Sequence, residues 1–226
     1  MKTLAIIQAR MKSSRLPNKM MLNLHGYPIC EWVYKRLMKS KNIDSIVFAL
    51  PNSAHDDILE NHLKSIGARV FRGSESDVVD RYYKIANELK FDNIVRVCAD
   101  NPLVCSSEID RLIDFFVSAE CDYAYNHIPI KNNYPNGFGA EICSMQILRN
   151  IYENSSKKNH REHLFNYLWD NEKDYKMMTF NPPDNIAFPD LKFDIDTKKD
   201  YEYLSSKNFK IDMSAEEIIK LTISES

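Results

Sequence analysis

The chain has 226 residues, enough for one sizeable α/β domain with a buried core. Hydrophobic residues make up 44% and charged residues 27%, ordinary globular usage that excludes a disordered or fibrous chain. Lys plus Arg number 30 against 32 Asp plus Glu, a net charge of −2, so a general nucleic-acid binder is excluded and any anion site must be local.

In chain order, short apolar runs at 4–7, 45–50, 68–71 and 93–97 read as strands. Between them, 29–38, 54–66 and 78–89 carry apolar residues at helical spacing, with Ser53 and Ser76 as N-cap candidates. Such alternation predicts a mostly parallel sheet covered on both faces. A polar loop rich in Asn, Pro and Gly occupies 128–139. After it come a strand at 140–143, helices at 146–152 and 161–170, an extended run at 176–180 and a Pro182-Pro183 break. A late strand at 191–195 and a capped helix at 214–223 complete the pattern. Without a repeat or linker, residues 1–226 read as one domain, with a nucleotide half at 1–126 and an acceptor half at 127–226.

Cys30, Cys98, Cys105, Cys121 and Cys143 are odd in number, form no CxxC pair and lie mostly in apolar runs, so buried thiols are expected rather than zinc ligands. No apolar run is long enough to span a membrane, and 4–7 is too short for a signal-peptide core. A cytoplasmic protein without a membrane or nucleic-acid partner is expected.

The most informative segment is Leu4-Ala5-Ile6-Ile7-Gln8-Ala9-Arg10-Met11-Lys12-Ser13-Ser14-Arg15-Leu16-Pro17-Asn18-Lys19. An apolar strand runs directly into a loop holding Arg10, Lys12, Arg15 and Lys19. In open α/β sheets ligands bind beyond the carboxyl ends of strands, where backbone N–H groups and fixed cations can hold phosphates. On spacing alone a solvated basic loop is an equal reading. No Walker A pattern is present, which excludes a P-loop NTPase.

This segment resembles the signature of cytidylyltransferases of the CMP-sugar synthetase type, closest to the spore-coat polysaccharide biosynthesis (SpsF-like) branch. Further similar motifs follow in order: Phe71-Arg72-Gly73-Ser74-Glu75-Ser76-Asp77-Val78-Val79-Asp80-Arg81-Tyr82-Tyr83, and Val95-Arg96-Val97-Cys98-Ala99-Asp100-Asn101-Pro102. Later come Tyr134-Pro135-Asn136-Gly137, Arg161-Glu162-His163 and Phe193-Asp194-Ile195-Asp196-Thr197. The resemblance implies a nucleotide-diphospho-sugar transferase fold: a three-layer α/β sandwich with a mostly parallel, mixed sheet. It implies transfer of CMP from CTP to a sugar-type acceptor, either an acidic sugar or a sugar or polyol phosphate, with release of pyrophosphate. It also implies Mg²⁺, a role in surface polysaccharide synthesis, and a homodimer formed through residues 128–170.

Carried over by position, Arg10 and Lys19 contact CTP phosphates, with Gln8, Ala9, Ser13 and Arg15 on the same side. Asp100 and Asp196 hold Mg²⁺, consistent with a hard ion that needs only one or two protein carboxylates beside phosphates. Taken alone, Asp100 suits an Asx-turn and Asp196 suits a helix N-cap equally well. Gly73, Ser74, Asp77 and Arg81 line the base pocket, or simply start a helix. Asn136, Glu141 and Arg161 fall on the acceptor side, with a structural ion pair as the alternative for Arg161. Gly139 departs from the resemblance, because a carboxylate commonly stands there, and this leaves acceptor recognition open.

Two rival functions are a nucleotide-sugar glycosyltransferase using Asp194-Ile195-Asp196 and a non-catalytic nucleotide-sugar sensor. The late position of that triplet argues against the first, and the presence of Arg10, Lys19, Asp100 and Asp196 together argues against the second.

Overall fold

The computed structural model describes residues 1–224. Its strands are β1 (Thr3–Gln8), β2 (Asn23–Leu24), β3 (Tyr27–Pro28), β4 (Ser45–Pro51), β5 (Arg69–Gly73), β6 (Asn93–Cys98), β7 (Tyr123–Tyr125), β8 (Glu141–Ser144) and β9 (Met177–Met178). Its α-helices are α1 (Ile29–Leu37), α2 (Asp57–Ser65), α3 (Val78–Leu89), α4 (Ser106–Ala119), α5 (Met145–Asn154), α6 (Lys158–Glu162), α7 (Asn166–Asp170), α8 (Lys198–Ser206) and α9 (Ala215–Ser224).

Seven strands form one sheet in the order β5-β4-β1-β6-β8-β7-β9, and β8 alone runs against its neighbours. The central strand β1 pairs in parallel with β4 and β6 and is apolar on both faces. Leu4 and Ile6 pack under α3, α5 and α7, whereas Ala5 and Ile7 pack under α1, α2, α4, α8 and α9. These helices on the two faces make the expected three layers, the arrangement that parallel strands require. Because β1, β4, β5 and β6 share a direction, the loops after Gln8, Pro51, Gly73 and Cys98 gather along one edge.

Several boundaries differ from those expected. Helix α3 is capped by Asp77, whose side chain accepts from the Asp80 N–H, so Ser76 is not the cap. The helix expected at 161–170 is two short helices, since the chain straightens at His163 and turns Phe165 inward against Tyr123, ring centroids 4.8 Å apart. Residues 191–195 form no strand. They are extended and tied by an isolated bridge to Asn136, with Phe193 N–H donating to Asn136 O (2.9 Å) and Asn136 N–H donating to Leu191 O (2.9 Å), and by Ile195 N–H donating to Asp100 O (2.8 Å). The run at 176–180 pairs only through Met177 and Met178. Helix α4 and strand β7 were not anticipated, although Ile109, Leu112, Ile113 and Phe116 of α4 have helical spacing and are buried.

Candidate active site

The loop leaving β1 is held as a rigid cradle. Ala9 N–H donates to Ala49 O and Asn18 N–H donates to Met11 O, closing the loop, with Asn18 at a left-handed φ of 59°. Met11 N–H donates to Asp56 Oδ1 at 2.7 Å, and Asp56 is fully buried just before α2. Burial pushes the Asp56 carboxyl above its ordinary value, and the Met11 N–H partly offsets this. Asp56 escaped the sequence reading because nothing local marks an acidic residue as a distant loop's anchor. Arg10, Met11, Lys12, Ser13, Ser14 and His55 are among the residues lining a cleft of about 470 Å³ over this cradle. Arg10 is exposed, Lys12 pairs with Glu75 (3.1 Å), and Ser13 Oγ accepts from Leu16 N–H.

Lys19 links this loop to the two carboxylates singled out in the sequence. Its Nζ lies 2.6 Å from Asp100 Oδ2, 3.5 Å from Asp196 Oδ1 and 3.0 Å from Ile195 O. Arg15 reaches the same Asp196 oxygen at 2.8 Å. Residues 181 positions apart are thus joined in one cluster at the carboxyl end of β6. Asp196 is not the cap of α8. Thr197 is, in a capping box with Asp200, which leaves the Asp196 side chain to the cluster.

Nearby, Asp194 has one buried oxygen without a hydrogen bond, and its other oxygen pairs with Lys192 at 3.4 Å. Burial pushes the Asp194 carboxyl above its ordinary value; Lys192 opposes this, and Asp196 and Asp100 add to it. Among the described residues no three His, Cys, Asp or Glu side chains converge as a self-sufficient metal site. Two hard carboxylates around a cation, beside a phosphate-sized cleft, nonetheless fit an ion that takes its remaining ligands from phosphates and water.

On the base side, Ser74 Oγ accepts from Asp77 N–H, and Gly73 packs on the Arg81 side chain. Arg81 is buried, donates Nη1 to Ala49 O, and leaves its buried Nε without a partner. Asp77 is occupied on both oxygens, by Asp80 N–H on one and by Arg161 on the other at 2.5 and 2.9 Å. Arg161 also donates to Tyr152 O. The structure therefore places Arg161 in an ion pair joining α6 to the start of α3, beside the base-side loop rather than across from it.

On the acceptor side, Asn136 contributes its backbone: its N–H donates to Leu191 O and its carbonyl accepts from Phe193 N–H. Gly137, at φ +91°, lets residues 193–194 pass so closely that a Cβ would lie 3.0 Å from Asp194 N. Gly139 has its own cause, since a Cβ there would fall 2.1 Å from Asn126 Oδ1. The Asn126 amide fills the place where a larger side chain would stand, accepting from Ala140 N–H and donating to Glu108 O. Glu141 is buried and bound on one oxygen by Arg96 and on the other by Tyr123 OH at 2.6 Å. Arg96 and His127, neither singled out from the sequence, complete this second polar cluster. Arg96 was visible as a lone charge in an apolar central strand.

A family model described as cytidylyltransferase matches residues 4–221. The chain belongs to the cytidylyltransferase family. It is thus a nucleotidyltransferase that uses CTP. It is similar to the spore coat polysaccharide biosynthesis protein SpsF of Bacillus subtilis, 33% identical over 227 aligned residues, covering 96% of this chain and 92% of that protein. It is also similar to 3-deoxy-manno-octulosonate cytidylyltransferase of Francisella tularensis subsp. novicida, 35% identical, with 57% of this chain and 59% of that protein covered. Among solved structures, a cytidylyltransferase of Leptospira borgpetersenii superposes with a TM-score of 0.90 at 29% identity, covering all of this chain and 95% of that one.

Proposed function

We propose that this cytidylyltransferase moves CMP from CTP, with a divalent cation such as Mg²⁺, onto an acidic sugar or a sugar or polyol phosphate for surface polysaccharide synthesis. The observation that carries the reading is Lys19, held between Asp100 and Asp196 at the edge of the β1 loop cradle. Cations and carboxylates that meet at one strand end suit a triphosphate that arrives with a metal ion. Asp100 and Asp196 would hold that ion, and when bound it would neutralise phosphate charge in the transition state.

The chain's own groups do the rest. Arg10, the backbone from Ala9 to Ser13, and Arg15 receive the β- and γ-phosphates. Lys19 follows the negative charge that grows on departing pyrophosphate, and such preset charges cost no reorganisation during reaction. The acceptor oxygen attacks the α-phosphorus in line; the new O–P bond forms as the bond to the β-phosphate bridging oxygen breaks. A phosphate acceptor is already anionic and needs no protein base. Gly73 and Ser74 supply backbone and hydroxyl groups to cytosine, and the Asp77–Arg161 pair positions that turn. The naming of one relative for spore coat polysaccharide and another for a sugar-acid substrate supports the acceptor class.

The test is pyrophosphate release with each of the four nucleoside triphosphates against sugar phosphates and ulosonic acids, with and without Mg²⁺. CTP should also stabilise the fold selectively, by about 2.7 kcal/mol at a hundredfold excess over its dissociation constant. Equal stabilisation by all four nucleotides, or release without added divalent cation, would overturn the corresponding part of the reading.

A further inference from the structure

The sheet face under α3 changes character at a single level. On β1 the residues Leu4 and Ile6 are buried and apolar, and then Gln8 is not; on β6, Ile94 is apolar and then Arg96 follows. Arg96 pairs with Glu141 across the β6–β8 register, and His127 Nε2 approaches the same Glu141 oxygen at 3.8 Å. Gln8 Oε1 lies 3.5 Å from Arg96 Nε. A buried ion pair is weak evidence for stability, because an apolar pair of similar volume holds a sheet as well or better. Glu141 has both oxygens engaged and is 4% exposed, so it offers little to a ligand.

The open valences belong to donors. Arg96 Nη2 and Gln8 Nε2 make no hydrogen bond among the described residues, yet neither is among the fully buried unpartnered atoms, so each keeps some accessible surface on two half-buried side chains. We infer that Arg96 and Gln8 form a paired-donor subsite for the anionic group of the acceptor, a carboxylate or a phosphate. The resemblance had put Gln8 on the nucleotide side; its contact with Arg96 puts it on this floor instead.

Position supports the assignment. Arg96 lies two residues before the end of β6, and Asp100 sits in the turn that directly follows the strand, so both stand toward the same carboxyl end. An acceptor anchored at the subsite thus brings an oxygen from the far side of its ring to the α-phosphorus near Asp100. Glu141 holds the guanidinium plane while leaving one edge free, which makes Glu141 a positioning residue rather than an acceptor contact.

This inference rests on the cytidylyl-transfer reading, and its test separates the two. With CTP saturating, so that the phosphate cradle is filled, orthophosphate and pyruvate are titrated calorimetrically as a phosphate and a carboxylate probe. One of them should bind the wild type, and which one names the acceptor's anionic group. Arg96→Lys keeps a cation for Glu141 but loses the free donor edge; Gln8→Leu leaves the Arg96–Glu141 pair intact and guards against misfolding. Each should weaken the bound probe about tenfold or more, the effect of one lost hydrogen bond to a charged group, with CTP affinity within about twofold. Absence of binding by both probes in the wild type, or equal binding in the variants, overturns the subsite. Failure of CTP itself to bind would count against the nucleotide reading, and titrating the anions without it would still test the donors.

Discussion

Gly137→Ala perturbs the site without touching any charged group. Residue 137 sits at φ +91°, where a side chain costs about 1–2 kcal/mol. Its Cβ would lie 3.0 Å from Asp194 N and 3.1 Å from Phe193 C, both backbone atoms that cannot rotate away. The segment they belong to is tied on either side, by Phe193 N–H to Asn136 O and by Ile195 N–H to Asp100 O. Relief therefore means moving residues 193–196 together by a few tenths of an ångström, which adds another ~1–2 kcal/mol. The sum, about 2–4 kcal/mol, corresponds to a fall in Tm of roughly 4–16 °C for a chain of this size. Asp196 rides on that segment, so turnover should fall about ten- to a hundredfold as its carboxylate leaves its place beside Lys19. Thermal denaturation and pyrophosphate release, measured on the same preparation, report the two effects. An unchanged Tm with unchanged turnover would show that the tight passage of 193–194 under Gly137 does not position the late carboxylates.

Three further outcomes are expected. Asp100→Asn keeps shape and removes charge, so Tm should stay near wild type while turnover falls at least about a hundredfold, ~2.7 kcal/mol of barrier; full activity would remove Asp100 from the chemistry. Arg161→Ala frees Asp77 at the start of α3 and should weaken CTP affinity while leaving the acceptor requirement unchanged, the reverse of what an acceptor contact would give. Burial pushes the Glu141 carboxyl up, but Arg96, His127 and Tyr123 outweigh it and hold it below the ordinary value of 4.5. Its folded-state value being the lower one, its stabilising contribution is present above pH 4.5 and is lost as pH falls through the depressed value, so acid unfolding should steepen there and flatten in Glu141→Gln.

What could be read from the sequence were features written locally. The strand–loop junction at Gln8-Ala9-Arg10, the alternation of strands and helices, and the acidic residues after β6 and near α8 are all short-range patterns. They carry the sheet and its crowded edge; Lys19, Asp100 and Asp196 stood out only through the family resemblance, and the structure adds that they touch one another. The features left open or missed depend on distant partners. Arg161 in Arg161-Glu162-His163 carries no mark that Asp77, 84 residues earlier, takes its guanidinium. Asp56 looks like an ordinary acidic residue ahead of a helix until Met11 is seen donating to it from 45 residues away. Residues 191–195 have strand-like composition, yet two backbone bonds to Asn136 and one to Asp100 replace a ladder.

The acidic run around α8 shows how local rules sort identical side chains into different work. Asp194, Asp196 and Asp200 lie within seven residues, and composition alone cannot rank them as ligands. Helix capping ranks them. Thr197 takes the cap and draws Asp200 back into the capping box, where Asp200 also binds Lys192 at 3.2 Å. Asp194 is pressed beneath Gly137, with one oxygen shared with Lys192 and the other buried without a partner, so it is turned away from the Lys19 cluster. Asp196 precedes the cap and, among the described residues, its side chain makes no bond to the helix start and meets only Arg15 and Lys19, both from the phosphate loop. An N-cap that belonged to Asp196 would have pointed its oxygens at α8 instead of at the cleft. The Thr-x-x-Asp pattern at 197–200 thus shapes the active edge indirectly: by meeting the helix's need for a cap, it leaves the one carboxylate that faces Asp100 across the Lys19 ammonium.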